Sequence, residues 1–181
     1  MRSINRSAAI LLFVAALGVV PAIGAGAAPQ PQKKEYLSEA EADKIREAGA
    51  TGPRIVLLAG FASDRIKKLQ YEFAHFDTSD PKRTDRVNKL LNGYAGCLDD
   101  AADLLEIGIE KQQDIRAGVK ALQTGIKEFL PYLQGLAMNG QERETYKGNL
   151  EDAIESTQDA AKDVDKAGKE MSAPPERRKP S

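Results

Sequence analysis

Apolar residues recur at steps of three and four over four long stretches of this chain, and residues that stop a helix bound each stretch. Ile55, Leu58, Ala62, Ile66, Leu69, Phe73 and Phe76 fall on one side of a 100° wheel and predict an amphipathic helix over 53–75. Gly52-Pro53 opens it, with proline in the first turn, where a missing N–H costs nothing. Asp77-Thr78-Ser79-Asp80-Pro81 breaks the pattern, and Asp80 is placed to cap the next helix. That third helix carries Val87, Leu90, Leu91, Tyr94, Leu98, Ala101, Leu105 and Gly108 on a common stripe.

A fourth stripe, Ile115, Val119, Leu122, Ile126, Phe129, Leu133 and Leu136, alternates strictly between four and three, the spacing of a helix-to-helix seam. Polar residues from Lys111 to Asp114 separate it from the third, and the favoured break lies near Gln113; the alternative is one long bent helix. Pro131 inside the stripe predicts a kink, because it cannot donate to the carbonyl four residues back. Asn139-Gly140 ends the helix. The last helix, over 142–171, has a thinner seam of Tyr146, Leu150, Ala153, Thr157, Ala160, Val164 and Ala167, which the large side chains of the fourth helix can fill. Ahead of all four, Ser38 and Glu41 have capping-box spacing and Gly49 supplies a stop, predicting a short helix over 38–48.

No stretch alternates with period two, so no strand is predicted. Helices apolar on one face bury those faces against each other. The expectation is an all-α, antiparallel four-helix bundle with a short additional N-terminal helix.

The ends of the chain change the picture from a bare bundle to an exported one. Arg2 and Arg6 lead into the apolar run Ala8 to Val20, followed by Pro21 and the small residues Ala25-Gly26-Ala27, the pattern of an export signal cleaved before Ala28. The run is too short to span a hydrocarbon core of ~30 Å comfortably. The domain layout is then a signal peptide at 1–27, a proline-rich flexible linker at 28–36, a bundle domain at 37–171 and a disordered tail at 172–181. The expected location is periplasmic or extracellular, with no integral membrane segment after processing.

Charge and cysteine content narrow the function. Removing the signal leaves 24 basic against 27 acidic side chains, a formal charge of −3, which argues against nucleic acid as a partner. The single cysteine, Cys97, permits no internal disulfide, and its place beside Tyr94 and Leu98 reads as a small core residue, with an intermolecular disulfide as the alternative if it is exposed. It also excludes haem attachment through Cys-x-x-Cys-His, and one histidine excludes the paired Glu-x-x-His motifs of a di-iron bundle.

The sharpest cluster is Asp99, Asp103, Glu106 and Glu110, matched on the last helix by Glu151, Glu155, Asp159 and Asp163. Carboxylates so spaced could gather a hard cation. Both series point away from their own seams, so each reads as a solvated acidic face. His75 lies off the apolar stripe near Tyr71 and reads as a surface residue at a helix end. Lys82, Arg83, Arg86 and Lys89, with Arg177-Arg178-Lys179, are the basic concentrations and read as solubilising charge, with an anionic envelope surface as the alternative. Asn5-Arg6-Ser7 matches a glycosylation triplet but leaves with the signal. No catalytic, cofactor-binding or metal-ligating residue is assigned.

Residues 37–66 and the later stretch Leu150-Glu151-Asp152-Ala153-Ile154-Glu155-Ser156-Thr157 resemble a group of exported bacterial helical proteins. The resemblance implies a bundle and no particular activity. The leading expectation is a non-enzymatic exported protein that binds another protein or an envelope component. One rival is a bundle that self-associates through leftover apolar residues, Leu57, Phe61, Ile107 and Ile109, giving a homo-oligomer; the other is a carboxylate-based metal binder or hydrolase.

Overall fold

The computed structural model describes residues 36–77 and 79–172, and every regular element among them is helical. The segments expected to be an export signal at 1–27, a linker up to residue 35 and a tail beyond Ser172 lie outside the described residues. In chain order the helices are α1 (Glu39–Glu47), α2 (Thr51–Ala74), α3 (Arg83–Glu110), α4 (Arg116–Asn139) and α5 (Lys147–Ser172).

The local signals act as the sequence requires. Ser38 and Glu41 form the complete capping box of α1, and Gly49 takes the left-handed conformation at φ 65° that lets the chain turn into α2. The break after α3 is a left-handed helix cap. Gln112 stands at φ 51° while Gln113 N–H donates to the Gly108 carbonyl and Gln112 N–H donates to that of Ile109. The single long helix is thereby ruled out. α4 runs through Pro131 as one helix, with the ring on the exposed side.

Several boundaries differ from expectation, among them the start of α2, which lies at Thr51 rather than 53. Asp80 does not cap α3: its carboxylate accepts from Lys82 N–H within a turn, Lys82 holds the N-cap position without a side-chain cap bond, and α3 starts only at Arg83. α5 begins five residues after the predicted 142, because Glu142 sits in the left-handed region at φ 54° and a short 3₁₀ turn, Arg143–Thr145, intervenes. Ser172, assigned to the tail, closes α5.

The stripes form one core. Ile55, Val87, Leu91, Tyr94, Leu105, Leu133 and Leu150 are among its buried residues, and Cys97 lies there too. The thin α5 seam of Ala153, Thr157, Ala160, Val164 and Ala167 is buried against large partners. The Tyr94 ring meets Phe129 edge-on at 6.2 Å, and its hydroxyl lies 2.8 Å from Thr157 Oγ1. Thr157 gives its own proton to the Ala153 carbonyl, so Tyr94 is the donor to Thr157, and burial pushes its phenol up to about 12. Phe61 belongs to this core, and Leu57 and Ile109 are half-buried against it. Of the four residues named for self-association, Phe61 is thus taken up by the core, while Leu57, Ile107 and Ile109 keep part of their surface exposed. The exposed large hydrophobic residues among those described are Val56, Tyr71, Met138 and Met171, which do not adjoin in sequence.

Consecutive long helices reverse direction, but the order around the bundle is α2, α3, α5, α4, since these are the extensively packed neighbours. The chain crosses a diagonal between α3 and α4. Two neighbouring pairs thereby become parallel. In α2 and α4, Gly52 lies at Asp114 and Ile55 at Gly118; in α3 and α5, Asn88 bonds Asn149 and Tyr94 bonds Thr157.

Candidate functional site

The parallel pairing of α3 and α5 brings Asp99 of one acidic stripe and Glu155 and Asp159 of the other to one groove. Asn92, Ala95, Gly96 and Asp99 from α3 line one wall, and Asp152, Glu155, Ser156 and Asp159 from α5 the other, around about 490 Å³ of open space. All four carboxylates are exposed, Asp99, Glu155 and Asp159 as expected from the helix wheel, yet Asp99 does not stand in open water. Burial against α5 raises its pKa first, and the neighbouring charges of Asp100, Asp103 and Asp159 add to this, while a hydrogen bond from Ser156 partly offsets them.

Glu106 and Glu110 continue the α3 stripe away from the groove, exposed. Glu151 is exposed and outside the groove lining, and Asp163 is half-buried further along α5. Asp152, Ser156 and Asn92 were not singled out in the sequence, because only the helix order places them opposite Asp99. Among the described residues no group of three or more His, Cys, Asp or Glu has the geometry to hold a metal ion.

A second polar cluster sits one face further round α3. Tyr36, assigned to the flexible linker, is instead docked: its hydroxyl donates to the Asp100 carboxylate. The ring lies so close to α3 that a Cβ on residue 96 would stand 2.8 Å from it, so only glycine fits there. Beside it, the buried Arg65 of α2 grips Glu41 of α1 with both Nη atoms, Nη2 reaching Oε2 at 2.8 Å, and also donates to the carbonyls of Tyr36 and Phe61. The Arg65 bond, together with those from Ser38 that outweigh burial, holds the Glu41 carboxyl at about 2. Burial and the Asp100 carboxylate push the Tyr36 phenol far up. The signal for Arg65 was its phase, since it follows Ala62 by three and precedes Leu69 by four on the apolar side of α2.

The basic residues are largely engaged within the molecule. Arg83 is buried at the start of α3, with its guanidinium 4.9 Å from the Phe73 ring and 4.3 Å from Phe76, and it pairs with Glu142 at 3.0 Å. Arg86 binds Glu72 with Nε and Nη2 and reaches Asp80 as well. Lys82 and Lys89 remain exposed, and the tail cluster Arg177 to Lys179 is outside the described residues. His75 is exposed at the end of α2, stacked on Tyr71 at 4.0 Å. Cys97 is buried.

No helix among the described residues is long and apolar enough to cross a membrane. Compared with protein families, curated proteins and solved structures, the chain matches none.

Proposed function

We propose that this is an exported, non-catalytic helical protein whose acidic α3/α5 groove docks a cationic partner, such as a basic protein segment. The observation that supports this most is the convergence of Asp99, Glu155 and Asp159 from two helices on one groove, with Asp99 partly desolvated among like charges. A charged partner entering the groove relieves that repulsion and gains the field of both stripes. Asn92 and Ser156 add neutral hydrogen-bonding groups between the acids. Export is supported by the N-terminal pattern of Arg2, Arg6, the apolar run and Ala25-Gly26-Ala27. N-terminal sequencing of material recovered outside the cytoplasm should begin at Ala28.

The docking reading is tested with an oligolysine peptide as probe, titrated calorimetrically at low and at physiological salt. The expected result is saturable one-to-one binding that weakens with salt and falls at least tenfold in the Asp99→Asn, Glu155→Gln, Asp159→Asn triple variant. A control triple, Glu106→Gln, Glu110→Gln and Glu151→Gln, removes the same charge outside the groove and should weaken binding far less. Equal losses in both triples would reduce the groove to general surface charge and overturn the proposal.

A further inference from the structure

The N-terminal cluster has the construction of a clasp. Helix α1 contributes no fully buried residue, and the apolar attachment of this segment consists of Leu37, buried just before it, and the partly buried Tyr36 ring and Ile45. What fixes it is polar: Arg65 to Glu41, Arg65 to the Tyr36 carbonyl, and the Tyr36 hydroxyl to Asp100. Beneath it, Gly93, Gly96, Cys97 and Asp100 share one face of α3, at steps of three, one and three. The two glycines recess that face. The Tyr36 ring fills the space over Gly96, and the Arg65 side chain lies over Gly93, where a Cβ would stand 3.3 Å from its Nε. Cys97 is fully buried, close enough to both Tyr36 and Arg65 to act on each electrostatically.

We infer that residues 36–47 form a detachable strap, which opens as a unit while the four long helices stay packed and uncovers the recessed face of α3 that holds Cys97. Two physical features make opening local. Little apolar surface leaves the core with the strap, so the hydrophobic loss is small compared with unfolding any long helix. Departure of the strap also admits water to Arg65, so its guanidinium is solvated instead of being stranded without a partner in the interior. The strap ends at Ala48-Gly49-Ala50, where the left-handed Gly49 already breaks the helical path and can serve as the hinge.

Cys97 is the only cysteine and reports the motion directly. The purified chain is reacted with a chromophoric disulfide reagent such as dithiobis(nitrobenzoate) over a range of low urea concentrations, and its global unfolding is measured in parallel. Strap opening predicts labelling at least tenfold faster than global unfolding allows in the absence of urea, with a rate almost independent of urea there. Glu41→Gln, which loosens the strap's hold on Arg65 and leaves the apolar core unchanged, should speed labelling roughly thirtyfold. Phe129→Leu, which weakens the core but leaves the strap alone, should change the urea-free rate less than twofold. Labelling that follows the global transition with its full urea dependence would overturn the inference, as would acceleration by Phe129→Leu to match its loss of global stability.

Discussion

Asp99 and Asp100 are adjacent in sequence and meet opposite fates. Asp100 turns toward the N-terminal segment, where the Tyr36 hydroxyl donates to it beneath the Arg65 and Glu41 pair. Asp99 turns toward α5, into a groove whose other walls carry Glu155 and Asp159. Gly96 borders both, touching the Tyr36 ring and lining the acidic groove. The strap side contains donors and acceptors in matched supply and is closed by the chain itself. The α5 side gathers acceptors of one sign and is left open. The difference separates a polar cluster that organises structure from one that has charge to offer a partner.

Both faces depend on the core that holds α3 against α4 and α5, so the largest effect comes from removing that support. Phe129 is buried against Tyr94, and Phe129→Ala should cost about 3 to 5 kcal/mol, read from urea or thermal unfolding. A loss below about 1 kcal/mol would mean that the ring does not carry the seam.

Next in size is the strap's ion pair. Glu41→Gln should cost about 2 kcal/mol at neutral pH. The carboxyl is held at about 2, below its ordinary 4.5, so its contribution is present above the ordinary value and is lost as pH falls from 4.5 toward 2. The stability difference between the natural chain and Glu41→Gln should therefore shrink over that interval. Tyr36→Phe, which removes one hydrogen-bond donor and keeps the ring over Gly96, should cost about 1 kcal/mol.

The smallest change has the opposite sign. Burial and like charges raise the Asp99 carboxyl, so its protonated form is favoured in the folded chain, and the benefit is lost as pH rises through the raised value. At neutral pH Asp99→Asn should stabilise the protein by less than about 1 kcal/mol, with no gain in acid. A destabilisation at neutral pH would show that Asp99 is paired rather than repelled.

Much of this architecture was legible in the sequence, because it rests on local rules. The four apolar stripes, the Ser38 and Glu41 box, the break before Ile115 and the burial of Phe129 and Cys97 follow from periodicity and capping. The start of α5 was not legible: Glu142 lies in a left-handed turn while its carboxylate meets the distant Arg83. Nor was the order of helices around the bundle, since a wheel gives the face of each helix and not its neighbour. Two outward acidic stripes therefore read as two unrelated solvated surfaces until α3 and α5 were placed side by side. Tyr36 was missed for a related reason. It follows a proline-rich run, and only the recess over Gly96, formed by tertiary contact, shows that it is docked.

The central claim, that the α5 side of α3 is open to a cationic partner and the strap side is closed, is tested most directly by mapping where such a partner lands. Backbone amide resonances of the chain are followed during titration with an oligolysine peptide. The account predicts shifts concentrated at Asn92, Gly96, Asp99, Asp152, Glu155 and Asp159, with the amides of residues 39–47 unmoved. Shifts spread evenly over acidic residues on every helix, or centred on the strap, would contradict it.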